Sequence, residues 1–153
     1  MKHLLKTCLL IAATLSSCFS SEEKSSKPSV STYPTSTNEE LTYDDVKDKM
    51  IYWSNIFAID SNAYYVYFFS KTCTHCQNLK PLILKEAIKR DDIYFVEESK
   101  EVVFVKNTSS TIGLTSIEGF GIIGYPSLVK IEEKTLTKNL AGIPSIRSEL
   151  SIE

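Results

Sequence analysis

The sequence predicts an α/β sandwich: one domain, with a central sheet and helices on both of its faces. Three observations carry this. The apolar patterning reads, in order, as helix, strand, helix, strand, helix, strand, strand, helix. Two of the strand-length runs, Ala63 to Ser70 and Ile93 to Val96, are apolar almost throughout, as strands covered on both faces are. The span expected to fold, 39–153, is about 115 residues, enough to bury a single core.

Each element has a local reason. Thr42-Tyr43-Asp44-Asp45 opens as a capping residue followed by acids, which suit the positive end of a helix. Val46, Met50, Trp53 and Phe57 follow at helical spacing, predicting a helix of about fifteen residues that ends near Ile59. Ala63 to Ser70, AYYVYFFS, is the first strand. From Thr74 the apolar positions Leu79, Leu82, Ile83 and Ala87 share one helical face, and Pro81 should kink that helix. Arg90-Asp91-Asp92 ends it, and Ile93 to Val96 is the second strand. Val102 to Val105 is expected as an extra short strand and 112–120 as a short helix. Ser127 to Glu132 and Leu136 to Ala141 read as a hairpin. Gly142 breaks the second strand, and Pro144-Ser145 starts a last helix with Ile146 and Leu150 inward.

Composition excludes several classes. Of 153 residues, 42% are apolar, and five Gly and five Pro leave no room for a collagen-like or low-complexity chain. A net charge of −2 argues against a nucleic-acid partner, which would call for a basic surplus. Four cysteines are too few for a disulfide scaffold at this length.

The first residues read as an address. In MKHLLKTCLLIAATLSS, Lys2 and Lys6 form a positive start, and about nine uncharged residues follow. That stretch is too short to span a membrane, which takes about 20 residues. Leu15-Ser16-Ser17-Cys18 resembles the lipobox of bacterial lipoproteins, which implies a signal peptide over 1–17 and acylation of Cys18. The alternative is ordinary signal cleavage with Cys18 left as a free thiol. Residues 20–38 follow, ten of nineteen being Ser or Thr, too polar to offset the entropy of ordering. The expected organisation is a signal peptide over 1–17, an acylated Cys and disordered tether over 18–38, and a domain over 39–153. The processed chain would sit outside the cell, held to the outer face of the membrane, with Cys73 and Cys76 as its free thiols and a net charge of about −4, since Lys+Arg falls from 17 to 15 against 19 acids. Disulfides persist in that compartment.

Cys73-Thr74-His75-Cys76 lies where a hydrophobic strand gives way to a helix. A cysteine at a helix start faces unsatisfied N–H groups and the positive end of the dipole, which stabilise thiolate over thiol. Cys76 lies one turn further in. An exposed sulfur attacks, and a covered one resolves the mixed disulfide. A zinc site would need four ligands, and Cys73, His75 and Cys76 supply three, so no metal is expected. Haem attachment needs His after the second Cys, and here Gln77 follows. A purely structural disulfide over so small a loop would gain little.

This strand–CxxC–helix arrangement resembles the thioredoxin-like family over about 60–150. Pro81 five residues after the second Cys, Gly124-Tyr125-Pro126-Ser127-Leu128 before a strand, and Gly142 after the last strand strengthen the resemblance. It implies a three-layer sandwich with a central mixed sheet and a redox-active Cys73–Cys76 pair. It also implies that Pro126, if cis, presents the Tyr125 backbone to an extended substrate. Combined with the lipobox, it is similar to surface thioredoxin-like lipoproteins of Gram-positive bacteria, some of which accompany bacteriocin export. The usual Trp-Cys-Gly-Pro-Cys is replaced, and the buried acid expected six residues before the first Cys is Tyr67 here. Deprotonation of Cys76 then falls to another group, water or Glu97. His75 resembles the histidine in the Cys-x-His-Cys of oxidising DsbA-like relatives and favours a more oxidising couple.

The expected function is a membrane-anchored thiol–disulfide oxidoreductase, oxidase rather than reductase, acting on secreted or surface polypeptides that bear Cys. Cys73 is the nucleophile, Cys76 resolves, His75 tunes, and Tyr125 and Pro126 position substrate. No dissociable cofactor is needed, because the cysteine pair is the redox group, but a membrane redox partner is. The alternative is an accessory of peptide export or immunity with no redox turnover.

Overall fold

A computed structural model describes residues 40–153. The signal peptide over 1–17, the acylation at Cys18 and the tether over 18–38 lie outside the described residues.

Four strands form one sheet: β1 (Ala63–Phe69), β2 (Ile93–Glu97), β3 (Ser127–Glu132) and β4 (Thr135–Ala141), in the order β2-β1-β3-β4. β1 runs parallel to β2 and antiparallel to β3, and β3 and β4 are an antiparallel hairpin. Two α-helices accompany them, α1 (Thr74–Lys89) and α2 (Ile143–Leu150). The sheet is mixed because the crossover through α1 returns the chain parallel to β1, whereas the two-residue turn at Glu133-Lys134, with φ of 50° and 62°, reverses it.

β1 is central, and alternation sends its side chains to opposite faces. Tyr65, Tyr67 and Phe69 join Phe95, Leu128 and the inward sides of α1 and α2. Tyr64, Val66 and Phe68 join Val129, Ile131, Trp53, Ile56, Phe120 and Ile122. Both faces are covered, which explains an apolar run with no polar alternation.

α1 runs unbroken through Pro81 to Lys89. Its last carbonyls are closed from a distance: the Lys49 ammonium donates to the carbonyls of Ala87, at 2.6 Å, and Arg90. A cation at that end also complements the helix dipole.

Four expectations are corrected. The fifteen-residue helix from Tyr43 does not form. Two short 3₁₀ turns, Tyr43–Lys49 and Trp53–Asn55, flank an extended stretch at Met50–Tyr52. The Ile51 amide donates to the Phe95 carbonyl at 2.8 Å, so the chain pairs with the free edge of β2 instead of coiling. The apolar positions therefore serve two faces, Val46 on one and Trp53 and Ile56 on the other.

Residues 102–105 do not add a strand to the sheet; Phe104 makes a single bridge to Ile122. No helix occupies 112–120. Gly113 and Gly119 take φ of 91° and 75°, outside helical space, and the amide of Gly113 and the carbonyl of Leu114 bond to Leu136 at the edge of β4. The three layers stand, but the α-helices lie on one face. The other face is closed by a 3₁₀ turn and irregular chain.

Candidate active site

Cys73 is the N-cap of α1 and is half-buried. Its Sγ accepts the Cys76 amide at 3.3 Å, a bond that a thiolate receives better than a thiol. The same sulfur donates to the Tyr125 carbonyl at 3.5 Å. Cys76, one turn on, is buried at 1% exposure. Both thiols are free. One sulfur is reachable, and the other lies directly behind it.

The segment carrying Cys73 is held from several sides. The Gln77 side-chain amide donates to the Lys71 carbonyl at 2.6 Å, and the Cys73 amide to the Ser70 carbonyl at 3.3 Å. Ser70, buried at the end of β1, shares a 3.0 Å hydrogen bond with the Thr72 hydroxyl and donates to the Glu98 carboxylate. The Glu98 amide in turn donates to the Phe69 carbonyl at 2.8 Å.

The structure brings Cys73, Cys76 and Tyr125 together. The Tyr125–Pro126 peptide is cis. The Pro126 carbonyl accepts the Gly142 amide at 3.0 Å, and the Ser127 hydroxyl donates to the Gly124 carbonyl at 2.6 Å, so the loop is pinned at both ends. His75 is exposed on the first turn of α1. Glu97 pairs with Lys71 at 2.9 Å.

Sequence reasoning did not find Ser70, Glu98 or Tyr43. Ser70 sits beside the motif and could have been flagged as a polar residue ending an apolar strand. Tyr43 arrives from the N-terminal segment and stacks on Phe69 with ring centroids 3.8 Å apart, which no local pattern announces.

Burial sets the ionisation of the site. It pushes the Cys76 thiol up to about 12, with the hydrogen bond to Cys73 adding to the rise, while the Ser70 backbone and the Tyr67 hydroxyl pull the other way. Burial, then the negative groups at Glu98 and Cys76, push Tyr125 up to about 12. Tyr43 and Tyr67 are raised as well, mainly by burial; Cys76 and Cys73 add to the rise of Tyr43, and Tyr43 followed by the two thiols adds to that of Tyr67.

No protein-family model matches the chain, and no curated protein matches it. Solved structures do. Thioredoxin f2 of Chlamydomonas reinhardtii is 16% identical, with 67% of this chain and 89% of that one covered and a TM-score of 0.43. Oxidised mitochondrial thioredoxin 3 of Saccharomyces cerevisiae is 13% identical, with 69% and 93% covered and a TM-score of 0.46. A Plasmodium falciparum thioredoxin is 14% identical, with 67% and 96% covered and a TM-score of 0.46. The chain's own topology defines a thioredoxin-like α/β fold: a mixed sheet in the order β2-β1-β3-β4, with a CxxC opening the helix after the central strand and an antiparallel hairpin closing the sheet.

Proposed function

We propose that the protein is a thiol–disulfide oxidoreductase acting on cysteine-bearing polypeptides outside the cell. One observation carries the reading. A half-buried Cys73 sulfur receives an amide N–H at a helix start, and the buried Cys76 lies one turn behind it. That is the arrangement exchange chemistry requires.

In the oxidising direction, a substrate thiolate attacks Cys73 of the Cys73–Cys76 disulfide. The substrate–Cys73 bond forms, the Cys73–Cys76 bond breaks, and Cys76 leaves as thiolate and takes up a proton. A second substrate thiolate then displaces Cys73, so the substrate loses two electrons and the protein gains two. The reducing direction is the reverse. The Tyr125 carbonyl beside Cys73 marks where an extended substrate segment would lie, with Pro126 shaping that loop. His75, exposed on the first turn two residues after Cys73, is the residue on which the oxidising direction is proposed. An acceptor in the membrane would regenerate the disulfide.

The sequence of 1–18 supports export and anchoring through acylated Cys18. Replacing Cys18 by Ala should move the protein from the membrane to the soluble fraction; unchanged fractionation removes the anchor.

The expected result for Cys76→Ala is a covalent mixed disulfide with partner polypeptides through Cys73, released by dithiothreitol and visible on non-reducing gels. A wild type that does not cycle in exchange, with a variant that traps nothing, would end this reading. The equilibrium potential of the couple in a glutathione titration decides direction. A value near about −120 mV supports an oxidase, and one near about −270 mV a reductase.

A further inference from the structure

We propose that the Tyr67 hydroxyl is the hydrogen-bond donor that stabilises the Cys76 thiolate. The inference rests on the redox reading of the cysteine pair and assigns a role that reading leaves open.

Tyr67 lies in the middle of β1, paired on one side with Phe95 and on the other with Leu128, and is fully buried. Its ring is fixed between Phe69, with centroids 6.1 Å apart and planes at 10°, and Phe95, at 5.8 Å and 75°. The hydroxyl at its tip has no hydrogen-bond partner. A buried hydroxyl without a partner costs free energy, and a phenylalanine would fill the same space. Tyr67 and Cys76 are buried in the same core cluster, with Tyr43 packed against it, and the Cys76 thiol and the Tyr43 hydroxyl are the polar groups that act on the Tyr67 hydroxyl. A thiol is a weak acceptor, whereas a thiolate is a strong one. The donor without a partner is therefore held far better by a Cys76 thiolate than by the thiol.

The rest of the surroundings make a neutral donor the means available. Cys76 is faced by Cys73 on α1, Tyr67 on β1, Tyr43 from the N-terminal segment and Tyr125 from the loop before β3. Beyond these, Glu97 acts on Tyr43 and Glu98 on Tyr125. Neither is a cation that would stabilise a thiolate, and Lys71 pairs with Glu97. Burial holds the Tyr67 phenol well above its ordinary range, so it keeps its proton and can offer it only as a hydrogen bond.

The Cys76 thiolate occurs in both directions of exchange. It leaves when the protein oxidises a substrate and attacks when the protein reduces one. In resolution, Cys76 S⁻ attacks Cys73, the Cys73–Cys76 bond forms, the bond from Cys73 to the bound group breaks, and that group departs as thiolate. Tyr67 lowers the cost of forming the thiolate and transfers no proton.

The test uses the full chain with Cys8 and Cys18 replaced by Ala, mixed rapidly with dithionitrobenzoate. The first release of coloured thiol, dependent on reagent concentration, reports attack by Cys73. The second, independent of concentration, reports resolution by Cys76. In Tyr67→Phe we expect the first release unchanged and the second slowed about tenfold at each pH, as loss of a hydrogen bond to a charged group implies. Its pH–rate curve should move to higher pH, with the melting temperature unchanged or raised. Tyr64→Phe is the control. Tyr64 donates to the Ile56 carbonyl at 2.8 Å on the opposite face, and its loss should lower stability without touching the second release. An unaltered second release and pH profile in Tyr67→Phe overturns the proposal. Two releases absent from the wild type would overturn the redox reading itself.

Discussion

The two faces of the sheet are built differently. On one, α1 and α2 pack their apolar sides against Tyr65, Tyr67 and Phe69, and the thiols and the Tyr43–Tyr67 pair gather there. On the other, Tyr64, Val66 and Phe68 meet aromatic residues carried on a 3₁₀ turn and irregular chain, and no thiol is present among the described residues. The helical face satisfies most of its backbone within its own elements, with Lys49 closing the last carbonyls of α1. The irregular face must find partners elsewhere, so it depends on long-range hydrogen bonds such as those of Gly113 and Leu114 with Leu136 and those of the Asn139 side chain. Chemistry sits on the face where a helix start can be aimed, and the opposite face supplies cohesion.

That contrast can be broken. Phe120 lies on the irregular layer, 5.0 Å from Trp53 and 6.0 Å from both Phe57 and Phe68 by ring centroids. If this layer is core, Phe120→Ala should cost about 3–5 kcal/mol in a urea unfolding curve, as much as truncating a buried leucine of α1. The exchange rate per folded molecule should hold. A loss below about 1 kcal/mol would show the layer to be a loose cover.

A smaller effect sharpens the point. The Asn139 side chain donates to the Thr111 hydroxyl at 2.9 Å and to the Gly121 carbonyl at 2.8 Å, tying irregular chain to β4. Asn139→Ala should cost about 1–3 kcal/mol. Hydrogen exchange should rise first around 109–122 while the amides of α1 stay protected. Uniform loosening would mean the layer has no local stability of its own.

The smallest effect concerns acid. Arg90 holds Asp92 with two hydrogen bonds, at 2.8 and 2.7 Å, and keeps its carboxyl below the ordinary range. A depressed carboxyl contributes stability above its unfolded pKa and loses it as pH falls through the folded value. The pair is partly exposed, so solvent screens it. Asp92→Asn should cost about 0.2–1 kcal/mol at neutral pH and nothing in strong acid. A constant difference across that range would remove the ion pair as its cause.

Much of this was readable beforehand, and the division has a pattern. β1, α1, β2, the β3–β4 hairpin and α2 were legible because each announces itself within a few residues, through an apolar run, a 3.6-residue stripe or a proline and glycine at its ends. Cys73, His75, Cys76, Tyr125 and Pro126 were legible as motif positions. The segment from Tyr43 to Ile59 was misread because its helical spacing is real, but the edge of β2 outbids it for the Ile51 amide. The stretch 102–120 was misread for the same reason, at Ile122 and at the edge of β4. Ser70, Glu98 and Tyr43 escaped notice because contacts made across the fold leave no local periodicity.

Sequence alone determined the elements that satisfy their own backbones, and the placement of two cysteines at a strand-to-helix junction, since these depend on neighbours along the chain. Only the tertiary structure decided which strand edges would capture the remaining chain. It also decided that Cys76 would be buried against Tyr67 while Cys73 stayed within reach. Those outcomes depend on competition for hydrogen-bonding partners and on exclusion of water, and both exist only once distant segments have met.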